Sequence, residues 1–134
     1  MDNEKELTFA ERFPHATLKV VRAYNKLVAT AKFFGIRDVL FAPLNYCDGI
    51  LYGHYIGINE SLTEPEFVLF VVAHETAHYL IHQGDLIKNR DRYYEDQADN
   101  LAFFFCELLG VNVFKHLSKT ATNMFISKRS QNKE

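Results

Sequence analysis

A chain of 134 residues that is 48% hydrophobic and 24% charged has the make-up of one globular domain able to fill its own core. Its formal net charge is −2 and its 15 Lys and Arg are dispersed, which excludes the basic footprint that direct nucleic-acid binding needs. The acidic, polar start "MDNEKELTFAERF" and the absence of any apolar run near the ~20 residues of a membrane span argue against a secretory leader and a bilayer segment, so a cytoplasmic location is expected.

Residues 1–12 read as a polar, flexible arm. In "PHATLKVVRAYNKLVATAKFFG", Val20, Val21, Tyr24, Leu27, Val28 and Ala31 recur at helical spacing, with Pro14 near the start and Gly35 past the end, predicting a first helix. Residues 38–59 change texture to β-branched and aromatic runs broken by Asp48-Gly49, which predicts two or three short antiparallel strands, the last at Tyr55–Asn59. "SLTEPEFVLFVVAHETAHYLIHQG" predicts a second long helix, with Thr63 and Glu66 as a capping box, Pro65 in the first turn and Gly84 beyond the end. Its apolar stripe of Phe67, Phe70, Val71, His74, His78 and Ile81 carries two histidines toward the sheet. A charged connector leads to "YYEDQADNLAFFFCELLG", a third helix closing at Gly110. A C-terminal helix is expected over 112–125, with a frayed tail at 127–134. The sum is an α+β fold in a single domain, 1–134. Cys47 and Cys106 stand far apart and read as free thiols.

The stretch His74-Glu75-Thr76-Ala77-His78 has the spacing H-E-x-x-H. Residues four apart on a helix stack one turn above the other, so two imidazoles can grip one metal ion. Glu75 stands about 100° around the helix from His74, where it can serve as a general base without being a ligand. Buried imidazoles need partners for their ring nitrogens, and a zinc ion, one per chain, meets that need. A catalytic zinc takes a third protein ligand, and Glu95 is the candidate. It opens an E-x-x-x-D run in which Asp99 could accept the N–H of a zinc-bound histidine. Ala98 and Ala102 keep that helix face slim. His82, one turn beyond His78, is expected to pack rather than bind metal, and His15 and His116 lie in no metal pattern. His54, Tyr55, Tyr93 and Tyr94 could each hydrogen-bond an oxyanion, although for each singly an aromatic packing role is the better expectation.

With both motifs in view, the chain resembles the ImmA/IrrE family of zinc metallopeptidases, a gluzincin-like group, over residues 35–109. The likeness rests on "IGINESLTEPEFVLFVVAHETAHYLIH" and "YEDQADNLAFFFCELL", the latter similar to the family's E-x-x-A-(N/D)-x-x-A helix. Carried over by position, it implies a minimal zincin-like fold with His74, His78 and Glu95 as ligands, Glu75 as base and Asp99 where the family has Asn or Asp. Gln97 departs from a second acidic residue found in many members, and Gly110-Val111 from a frequent Met-Pro. The resemblance implies cleavage of a helix-turn-helix repressor of a phage or mobile element, with the chain as a peptidase module acting on a repressor encoded elsewhere. On this reading Ile56, Gly57, Ile58 and Asn59 form a strand that pairs with an extended substrate segment. Two other readings keep the same residues: a metal-containing module that sequesters a repressor without cutting it, and a zinc hydrolase for a small molecule. Oligomeric state is not readable.

Overall fold

The computed structural model describes residues 7–82 and 92–113, with side chains for 7–81 and 95–113. The expected C-terminal helix over 112–125, the tail, His116, and the side chains of His82, Tyr93 and Tyr94 lie outside the described residues. The elements are α1 Phe9–Arg12, α2 Leu18–Phe33, β1 Asp38–Ala42, β2 Gly49–Tyr52, β3 Tyr55–Asn59, α3 Pro65–His82 and α4 Arg92–Leu108. The architecture is α+β, as expected.

Residues 7–12 are part of the fold rather than a free arm. Thr8 and Glu11 form a capping box: the Glu11 N–H donates to Thr8 Oγ1 at 3.1 Å and the Thr8 N–H to Glu11 Oε1 at 2.9 Å. That turn is stapled to α2 because Phe9 stacks on Tyr24 with ring centroids 4.2 Å apart. The T-x-x-E signal was present in the sequence, but so short a helix has no periodicity to mark it. Next, Thr17 caps α2 by accepting from the Val20 N–H, and Val20, Ala23, Tyr24, Leu27 and Ala31 form its buried face. Gly35, at a positive φ of 123°, ends the run beside the Tyr79 hydroxyl.

The sheet corrects the expectation of an antiparallel arrangement. Its order is β1-β3-β2, with β1 parallel to β3 and β2 antiparallel to it. The hairpin between β2 and β3 is short, whereas β1 reaches the far side of β3 through residues 43–48. Ile56 and Ile58 of β3, both 0% exposed, face inward with Val39. By alternation Tyr55, Gly57 and Asn59 fall on the outer side.

The core is organised around α3. Val68, Leu69, Val72, Ala73 and Ala77 are all 0% exposed, so this helix is covered on nearly every side rather than along one stripe. α4, α2, β2 and β3 all pack against it. Burying each of the larger side chains stabilises the fold by about 1.5–3 kcal/mol, which holds the helix rigidly in place. Ala98, Ala102 and Cys106 of α4, each 0% exposed, form the surface that meets it. Ile81, expected on the buried stripe, is exposed.

Candidate metal centre

Close packing between α3 and α4 brings three separated side chains to one point. His74 Nε2 lies 3.1 Å from Glu95 Oε1, and His78 Nε2 lies 3.2 Å from Glu95 Oε2. One potential ligand atom from each residue lies within 4.8 Å of the others. The histidines therefore face α4, not the sheet as the stripe had suggested. The two imidazoles stand one turn apart with centroids separated by 4.7 Å and planes at 83°, so they converge on the carboxylate from two directions.

Do these residues fit a zinc ion? Bonds of about 2.0–2.2 Å in a tetrahedron set neighbouring ligand atoms roughly 3.4 Å apart. The observed 3.1 and 3.2 Å fall short of that edge by only a few tenths of an ångström. The donor set also fits. Two imidazoles and one carboxylate leave a fourth position open, the pattern of catalytic rather than structural zinc. Finally, the surroundings carry a surplus of negative charge: Glu75, Glu95 and Asp99 are grouped around the two rings, which favours a cation among them.

Asp99 lies behind His74. Its Oδ1 is 2.7 Å from His74 Nδ1, and the Asp99 side chain is 7% exposed. An Nδ1–H donated to Asp99 leaves the Nε2 lone pair aimed at the ligand cluster. Without metal, burial works against the charged ring, yet hydrogen bonds to Asp99 and Glu95, with the charges of Glu75 and Asp99, outweigh it and push His74 up to about 9. Burial likewise opposes the Glu95 carboxylate, but its bonds to His74 and His78 dominate and hold it well below the usual carboxylate range. The metal-free centre is thus an ion-pair cluster.

Glu75, 5% exposed, turns to another side of α3, toward β2. A methyl added at Gly49 would overlap the Val71 side chain and come within 3.4 Å of Glu75 Cγ. The strand's first residue therefore lies directly against the helix at the glutamate. Five residues past Gly49 the chain has travelled along α3 to its next turn, since His54 Nδ1 is 2.8 Å from the Tyr79 hydroxyl. Among the described residues β3 is the only strand neighbour of β2, so the other edge of β2 pairs with no described strand.

Two expectations fail here. Ile56, Gly57, Ile58 and Asn59 cannot pair with a substrate strand, because β3 is the central strand and both its edges are taken by β1 and β2. Tyr55 points to the outer side of the sheet, away from α3, so it does not reach the centre. His54 is engaged in holding the hairpin to Tyr79. Sequence reasoning passed over Gly49, whose Asp-Gly context reads as a turn, although its missing side chain is what admits β2 to the Glu75 surface.

A protein-family model described as the IrrE N-terminal-like domain, of peptidase type, matches residues 34–109. No curated protein and no solved structure matches the chain.

Proposed function

Because the chain belongs to the IrrE N-terminal-like family of peptidases, whose function is of the metallopeptidase type, we propose that it is a zinc-dependent endopeptidase acting in the cytoplasm on a helix-turn-helix repressor of a phage or mobile element. The observation that carries the hydrolytic part is the convergence of His74, His78 and Glu95 beside a buried Glu75 that is not among the three.

His74, His78 and Glu95 would hold the ion. When bound, zinc supplies Lewis acidity, which makes water easier to deprotonate and polarises a peptide carbonyl. Asp99 keeps the His74 proton on Nδ1, so that Nε2 stays available as a ligand. Glu75 takes a proton from the attacking water onto its carboxylate and returns it to the leaving amine nitrogen. The open edge of β2 receives an extended segment of substrate through backbone hydrogen bonds, in place of the β3 pairing expected from sequence. An extended segment is needed, so the scissile bond lies in a loop or a locally unfolded stretch.

No helix among the described residues is long and apolar enough to cross a membrane. The test of the whole reading is incubation of the purified protein with helix-turn-helix repressors encoded near it, followed by mass spectrometry of the products. Native protein is expected to cut one of them at a defined bond and Glu75→Gln to leave it whole while retaining zinc. Release of repressed genes by Glu75→Gln as efficiently as by native protein would instead favour sequestration without cleavage.

A further inference from the structure

Asn59 closes β3, and its carboxamide uses both donors and its acceptor oxygen. Nδ2 donates to the Leu44 carbonyl at 2.8 Å and to the Cys47 carbonyl at 3.1 Å. Oδ1 accepts from the Ser61 N–H at 3.0 Å and the Ser61 hydroxyl at 2.9 Å. Its own backbone N–H donates to the Asp48 carbonyl at 2.8 Å. Residues 43–48 have no ladder of their own, and this one side chain grips them near both ends. Immediately after them comes Gly49, pressed against Val71 and Glu75.

We propose that Asn59 is a positioning residue for the catalytic base: by clamping residues 44–48 it fixes Gly49 and the start of β2 against Glu75, and so sets where that carboxylate points. This rests on the reading of Glu75 as the base. Loss of the two Nδ2 bonds frees the loop, the wall beside Glu75 recedes, and the carboxylate loses its fixed aim. A misplacement of about 1 Å costs on the order of 100-fold in rate when it affects a reacting group. Ser61 matters less here, since it meets only the acceptor side of the amide.

Cys47 supplies a reporter that needs no catalysis. Its exposed thiol is held above its ordinary value by partial desolvation first and then by the charges of Glu75 and Asp48, whereas Cys106 is buried and silent toward reagents. The pH midpoint of Cys47 alkylation by iodoacetamide is measured in native protein, Glu75→Gln, Asn59→Ala and the double variant. Removing the Glu75 charge is expected to lower the midpoint in the native background and to leave it unmoved in the Asn59→Ala background. Asn59→Asp, close in size but unable to donate to two carbonyls, is expected to behave like Asn59→Ala, and Ser61→Ala like native. Zinc-dependent cleavage of fluorescently labelled casein is expected to fall about 100-fold in Asn59→Ala and Asn59→Asp at unchanged zinc content. A Glu75 effect on Cys47 that persists in both Asn59 variants, or that vanishes equally in Ser61→Ala, overturns the positioning role. Loss of that effect alongside a native protein that cuts neither casein nor any helix-turn-helix repressor encoded near it keeps the positioning and sinks the peptidase reading instead.

Discussion

Replacing Asp99 with alanine removes the group that fixes the His74 tautomer, and the geometry sets both the size of the effect and its dependence on pH. The contact is 2.7 Å long, with side chains 12% and 7% exposed, so water screens it little. Loss of such a partner weakens metal binding by about 10–100-fold, or roughly 1.4–2.7 kcal/mol. A second effect opposes this one. In the metal-free protein Asp99 also helps to raise His74 to about 9, so at pH 7 zinc must displace a proton held about two pH units too firmly. That competition costs native protein on the order of 100-fold in apparent affinity, and Asp99→Ala relieves part of it. The deficit is therefore expected to be full at pH 9 and smaller at pH 7, measured by competition with a chromophoric chelator at each pH. Asp99→Asn, which keeps an acceptor oxygen but no charge, is expected to fall between the two. Native affinity at pH 9 in Asp99→Ala, or a larger deficit at pH 7 than at pH 9, would refute the assigned role.

Three further outcomes follow from the same geometry. In metal-free protein the raised His74 contributes stability that is fully present below its ordinary 6.5 and is lost as pH rises through about 9, so urea midpoints should decline over that window; a flat profile from pH 6.5 to 9 would remove the ion-pair account of the cluster. Gly49→Ala forces β2 off Val71 and Glu75, an overpacking cost of about 1–3 kcal/mol against a gain of about 0.4–1 kcal/mol from a less free unfolded chain, and a variant as stable as native in urea would mean that the strand does not press on α3. Ala98→Leu, at a position 0% exposed, wedges α4 away from α3 and should reduce both stability, by about 1–3 kcal/mol, and zinc affinity; unchanged zinc titration would show that the helix spacing does not set the ligand geometry.

The parts of the centre that were readable in advance share one property: they depend on spacing within a single helix. H-E-x-x-H places His74 and His78 one turn apart wherever α3 packs, and Glu95 and Asp99 obey the same rule on α4. What could not be read was which surfaces meet. Because α3 is covered on nearly every side, the stripe through His74 and His78 could not tell α4 from the sheet as the surface those residues face. Alternation identified Tyr55–Asn59 as a strand but could not say that it lies in the middle, because β1 pairs with it in parallel across residues 43–48. That central place is what rules out the substrate pairing expected at residues 56–59. Gly49 and Asn59 were each visible only as local punctuation, since the importance of both arises from contacts with residues distant in sequence, Val71 and Glu75 for one and Leu44 and Cys47 for the other.

Elemental analysis of the purified protein after zinc loading and gel filtration tests the central claim most directly. About one zinc per chain is expected in native protein and in Glu75→Gln, with His78→Ala and Glu95→Gln retaining little or none. Native protein without zinc, or undiminished zinc in both ligand variants, would contradict it.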